Sequence, residues 1–103
     1  GVEFDEALVK QSLVKIKKLG LAERAHVIEG DIMAQDYSSA SMLTVYLLSD
    51  SNEKVRPILE RQLKKGTRVV AHDFEFAGWK PIKTVDIDND GEGRGHRLYL
   101  YVR

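Results

Sequence analysis

Cysteine is absent from this 103-residue chain. That excludes a disulfide framework, a thiolate nucleophile and a thiolate metal site, and agrees with a reducing compartment. Net charge is absent too: 16 lysines and arginines balance 16 aspartates and glutamates. No overall field therefore steers the chain toward nucleic acid or an anionic membrane. No apolar run is long enough to span a bilayer, and Glu3, Asp5 and Glu6 stand where a signal peptide would be basic. A cytoplasmic protein is expected. Proline is scarce, at two residues, and no repeat, linker or low-complexity tract divides the sequence. One small domain over residues 1–103 is the expectation.

What is present is an alternation of strand and helix patterns. Gly1-Val2-Glu3-Phe4-Asp5 reads as the end of a buried parallel strand that closes on acidic side chains. In nucleoside-binding α/β folds a carboxylate at that place accepts hydrogen bonds from ribose hydroxyls. Asp5 can cap a helix with Leu8, Val9, Ser12, Leu13, Ile16 and Leu19 on its inner face and Gly20 as its stop. The lysines of that helix cluster in its last turns, where they complement the dipole as a solvated face. Residues 25–31 give a short strand ending at Gly30-Asp31. Met42 to Leu48 is nearly continuous in apolar residues, the pattern of a strand buried on both faces.

Asp50 or Ser51 offers an N-cap to a second helix through Lys65, with Val55, Ile58, Leu59 and Leu63 inside and Gly66 as the stop. Pro57 suits a first turn, so the regular helix is expected to begin near Val55. Residues 67–74, 83–88 and 96–102 read as strands, the last two joined as a hairpin by a polar, Gly-rich tip. The order predicts a doubly wound α/β sheet of parallel strands with an antiparallel C-terminal hairpin.

Two motifs mislead. Asp86-Ile87-Asp88-Asn89-Asp90-Gly91 starts like a calcium loop, but its twelfth position is Arg97 rather than Glu and a strand, not a helix, leads into it. Gly91-Glu92-Gly93-Arg94-Gly95 spells GxGxG, yet a phosphate loop must open a helix and His96 to Val102 alternates like a strand. The stretch is read as a hairpin tip, and no metal site is assigned.

Taken in order, Gly-Val-Glu at a strand end, Glu29-Gly30-Asp31-Ile32, the buried Thr44-Val45-Tyr46-Leu47-Leu48 strand, the run from Leu63 to Phe74 and Gly78-Trp79-Lys80-Pro81 resemble Rossmann-like S-adenosylmethionine-dependent methyltransferases. The resemblance covers essentially the whole chain. Residues 52–57 and 68–79 are similar to those of a bacterial and archaeal subgroup akin to small lysine methyltransferases. The resemblance implies S-adenosylmethionine as cofactor, Glu3 on its ribose hydroxyls, Phe4 against the adenine, Asp31 accepting from the adenine amino group and the Ile32 amide facing a ring nitrogen. Tyr46, Leu47 and Leu48 fall where the family's substrate-side motif follows the fourth strand, and Tyr46 is counted with the cofactor-binding residues. The Asn/Asp-Pro-Pro-aromatic motif of amino-methylating nucleic-acid enzymes is missing.

Each residue has a plainer reading as well. Glu3 could cap the following helix, Phe4 could be core, and Asp31 could be a turn residue. His72 and Asp73, at the end of a strand, are candidates for taking a proton from an attacking amine or binding the acceptor, or else a strand-end histidine and a turn aspartate. Trp79 is read as a plug over the sheet in preference to a pocket wall.

The family's first strand and Gly-rich loop have no counterpart in these residues, so an incomplete Rossmann-like sheet is expected, the C-terminal part of a methyltransferase domain. A bared central strand edge would then favour a homo-oligomer, by sheet extension or domain swapping. The methyl acceptor, protein or small molecule, is not specified by the sequence. The competing reading is a non-catalytic Rossmann-like module that pairs with itself or a protein partner and binds no cofactor.

Overall fold

The computed structural model describes residues 1–103, which fall into two compact units, residues 1–35 and 36–103. In the first, β1 (Val2–Glu3) pairs in parallel with β2 (Ile28–Glu29) through α1 (Glu6–Lys18). Asp5 caps α1, its carboxylate accepting from the amides of Ala7 at 2.9 Å and Leu8 at 3.3 Å. Gly20 stops it at a φ of 70°, where a Cβ would be strained. The expected inner face is only partly covered: Val9 is buried, Ser12 and Ile16 are half-buried, and Leu8, Leu13 and Leu19 are exposed.

The second unit holds a four-stranded sheet in the order β3-β4-β6-β5. The strands are β3 (Met42–Val45), β4 (Arg68–His72), β5 (Lys83–Ile87) and β6 (His96–Val102). β3 and β4 are parallel, joined by α2 (Ser49–Gln62), whereas β6 runs antiparallel to both β4 and β5. The predicted hairpin is therefore present, with Gly91 and Gly93 at φ of 93° and 83° in its tip.

α2 starts earlier than its sequence suggests and carries Pro57 within it, with no side-chain cap at Leu48. Pro57 offers no N–H to the carbonyl of Glu53, so that rung of the helix is missing. The helix holds because its inner stripe is well buried: Val55, Leu59 and Leu63 join Val69, Ala71, Phe76 and Tyr101 as the core. Leu59 alone, fully enclosed, contributes roughly 1.5–3 kcal/mol by burial.

β3 meets one expectation and departs from another. It is hydrogen-bonded on one side only, to β4, and none of its residues is fully buried; Met42, Tyr46 and Leu48 are exposed. The open edge is as expected; the expected burial of Met42 to Leu48 on both faces is not found, because burial is supplied by neighbouring elements and Met42, Tyr46 and Leu48 are left largely uncovered.

Trp79 is a plug, as expected. Its ring stacks on Phe76 at 4.6 Å and meets Tyr101 edge-on, its indole N–H donates to Glu60 at 2.8 Å, and the Arg103 guanidinium lies over it at 4.8 Å. The Tyr101 hydroxyl accepts from the buried Phe76 amide at 2.9 Å. The loop after β4 is thus pinned from one side by aromatic packing. From the other side Asn52 of α2, fully buried, donates through Nδ2 to the carbonyls of Phe74 at 2.9 Å and Glu75 at 3.3 Å.

Candidate functional site

In the first unit Glu3 ends β1 and Asp31 follows β2, so both carboxylates stand at the carboxyl ends of neighbouring parallel strands. Open α/β sheets place ligands at that edge. The helix is capped by Asp5, while a Glu3 oxygen takes the Asp5 amide at 3.3 Å. Asp31 uses Oδ1 to accept from Met33 at 2.8 Å, which caps the short 3-10 turn Ile32–Ala34. The turn role of Asp31 is therefore present. Phe4 is 78% exposed, so it is no core residue in this unit.

In the second unit the ends of β3 and β4 bring Tyr46, His72 and Asp73 together, and the start of β6 adds His96. Asp73 is the hub and adopts φ of 65°, a conformation that aspartate tolerates better than most residues. One of its oxygens accepts from the Arg97 amide at 3.0 Å. The other meets His96 Nδ1 at 2.8 Å and the Tyr46 hydroxyl at 3.3 Å.

His96 is bracketed. Its Nε2 lies 2.8 Å from Asp90 Oδ2 in the hairpin tip, and its side chain is only 12% exposed. Asp90 in turn accepts from the amides of Glu92 and Arg94, which folds the tip around it. Two carboxylates raise the His96 pKa above the ordinary imidazole value by hydrogen bonding, Asp73 more than Asp90. The Arg97 amide, then the His96 bond, lowers the Asp73 pKa; the His96 bond first, then the Glu92 amide, lowers that of Asp90.

His72 stacks on Tyr46 at 4.0 Å and meets His96 edge-on at 4.6 Å. Its Nε2 is shielded from solvent, has no hydrogen-bond partner and lies 3.7 Å from Asp73. The expected pairing of His72 with Asp73 is thus secondary: Asp73 spends its short contacts on His96. An open pocket of about 610 Å³ is lined by Tyr46, His72, Arg94, His96 and Leu98. The fold adds His96 and Asp90, which the sequence alone does not single out as site residues.

The arrangement offers a shielded basic nitrogen, an ordered carboxylate and aromatic faces at the carboxyl ends of two parallel strands. The profile of the ANTKMT methyltransferase domain matches residues 1–83. The chain belongs to that family. A protein-lysine N-methyltransferase of Saccharolobus islandicus (strain REY15A) is 40% identical over 102 residues, covering 99% of this chain and 62% of that protein. The crystal structure of an RNA methyltransferase from Salinibacter ruber in complex with S-adenosyl-L-homocysteine superposes with a TM-score of 0.90 at 38% identity, covering 99% of this chain and 63% of that one. The fold is that of the Rossmann-like methyltransferases. The B. subtilis m1A22 tRNA methyltransferase TrmK shares it at a TM-score of 0.69 and 16% identity, over 96% of this chain and 47% of that one. The chain therefore spans less than two thirds of the length of each of these proteins.

Proposed function

We propose that the chain is the C-terminal part of one S-adenosylmethionine-dependent methyltransferase domain and that its acceptor is a protein lysine. Family membership over residues 1–83 carries the reading. Two carboxylates at the ends of adjacent parallel strands are the acceptor set that a ribose diol and an adenine amine require. Glu3 would take the ribose hydroxyls, Asp31 the adenine amine through the oxygen not engaged by Met33, Ile32 a ring nitrogen and Phe4 the adenine face. When bound, the cofactor supplies an electrophilic methyl group.

The acceptor side is proposed to be the Tyr46, His72, Asp73 and His96 cluster. His72 Nε2, with no partner of its own, would take the proton from the acceptor amine. Asp73 would receive the ammonium before it is deprotonated, and the aromatic faces of Tyr46 and His72 would hold the lysine stem away from water. The names of the two relatives differ on the acceptor, protein lysine in one and RNA in the other. Asp86 and Asp90 are paired with Arg97 and Arg94, and Asp73 with His96, so local charge does not choose between the two acceptors. The 40% identity to the protein-lysine N-methyltransferase supports the lysine reading.

The test uses full-length protein with S-adenosylmethionine carrying a labelled methyl group, incubated with protein and RNA fractions separately. Label that resists ribonuclease and appears as methyllysine after hydrolysis is expected. Label confined to RNA would overturn the acceptor, and absence of S-adenosylhomocysteine binding by calorimetry would return the chain to the non-catalytic module.

A further inference from the structure

The geometry points to a divalent transition-metal site made by His72, Asp73 and His96. Their ligating atoms all lie within 4.8 Å of one another. His96 Nδ1 lies 2.8 Å from Asp73 Oδ2 and His72 Nε2 lies 3.7 Å from Asp73 Oδ1, so the two imidazoles face different oxygens of one carboxylate. Ligands set 2.0–2.1 Å from a tetrahedral ion stand about 3.3 Å apart, so side-chain rotations that draw the three ligand atoms inward from within 4.8 Å close the site. Two imidazoles and one carboxylate suit zinc, cobalt or nickel better than magnesium or calcium, which prefer all-oxygen shells.

Two further features fit a ligand site better than a random cluster. His72 Nε2 is cut off from solvent with no hydrogen-bond partner, an expensive state for a basic nitrogen that a metal bond would relieve. His96 has the carboxylate–histidine arrangement typical of metal centres: Asp90 holds Nε2 at 2.8 Å and so aims Nδ1 at Asp73 and His72. In the metal-free protein a proton on Nδ1 satisfies Asp73; the ion takes its place, and the proton leaves to solvent. Three protein ligands leave a fourth position, which water fills.

One consequence rests on the proposed acceptor role. The ion and the acceptor's proton compete for the same His72 lone pair, so a loaded site silences transfer while leaving the cofactor carboxylates untouched.

The experiment is a titration of untagged, chelator-stripped full-length protein with Zn²⁺ by calorimetry and with Co²⁺ by visible absorption, without cofactor. One equivalent is expected, with the intense d–d bands of a four-coordinate cobalt site. His72→Ala breaks none of the hydrogen bonds that order the cluster and should weaken binding at least tenfold. Asp90→Asn should weaken it ten- to a hundredfold by freeing His96, whereas His26→Ala should not change it. Equal binding by parent and His72→Ala, or no binding at one equivalent, overturns the site. Zinc inhibition relieved by chelator is the second readout; metal binding without inhibition would keep the site and remove His72 as the base.

Discussion

The carboxylate of Asp73 and the imidazole of His96, 23 residues apart in sequence, meet at 2.8 Å where β4 ends and β6 begins. Because β4 and β6 are neighbouring antiparallel strands, the end of one lies beside the start of the other. Asp73 leaves the ladder in a left-handed conformation that turns its side chain toward this start and toward Tyr46 beyond β3. The local backbone cost is offset by the carboxylate's bonds to the Arg97 amide, His96 and Tyr46.

The proposed base and the hub should separate on mutation. In full-length enzyme assayed with chelator present, His72→Ala should lower turnover by about a hundredfold and leave cofactor affinity within a few-fold, since a general base acts in the chemical step. Asp73→Asn should lower turnover and also the melting temperature, because it weakens a charge-assisted bond to His96. A His72→Ala enzyme of normal turnover returns that residue to a stacking role under Tyr46.

Cofactor affinity should respond to the first unit instead. Glu3→Ala should weaken binding by roughly 1.5–3 kcal/mol, about ten- to a hundredfold, through loss of charged hydrogen bonds. For Asp31 an alanine would also remove the cap on Met33, so Asp31→Ser, which keeps a capping oxygen, is the cleaner probe. Calorimetry with S-adenosylhomocysteine decides both; unchanged affinity in Glu3→Ala ends the ribose assignment.

Asn52 should be costly to replace. Its amide bridges from α2 to two carbonyls in the loop that follows Asp73, inside a fully buried environment. Asn52→Leu leaves those carbonyls without a donor, a loss of about 1–3 kcal/mol. Urea unfolding should show it as a lower midpoint with an unchanged slope, and a midpoint equal to the parent's would mean that the carbonyls find another donor.

How far the sequence carries can be judged from these same residues. The Asp5 cap, the Gly20 stop, the α2 stripe and the hairpin with its GxGxG tip are local, since each depends on residues a few positions apart, and all are present. The apolar run from Met42 to Leu48 implies burial on both faces that β3 does not have, because coverage is supplied by neighbouring elements; its open edge is as expected. Pro57 implies a later helix start than α2 has, because burial of Val55, Leu59 and Leu63 outweighs one lost helix bond. His96 was passed over because its partner Asp73 is remote in sequence; a lone histidine at a strand start shows nothing until topology brings β4 beside it.

The Glu60 carboxylate supplies a pH-dependent tie between α2 and the plug. The Trp79 indole, then Arg56, hydrogen-bonds to it and lowers its pKa below the ordinary glutamate value. A depressed folded-state pKa means the charged form is favoured on folding. The contribution is present above the unfolded value of about 4.3 and is lost as pH falls through the folded one. Glu60→Gln should therefore melt below the parent at pH 7, and the gap should close in acid; a gap constant with pH would assign the loss to packing.

The edge of β3 leads to the last expectation. Met42 on the strand, and Tyr46 and Leu48 just beyond it, are exposed; β3 is bonded only on its β4 side, and an apolar edge is a template for another strand. Residues 1–103 expressed alone should therefore self-associate, by sheet extension or by exchange of strands between copies. Light scattering across a concentration series should give a mass above 11.7 kDa that falls on dilution. Thr44→Lys, on the same strand, should shift the balance to monomer, because a charge on an edge strand opposes pairing with a second copy. A monomer at all concentrations in the parent would mean that the edge is protected without a partner strand, and would remove self-association from the account of this chain.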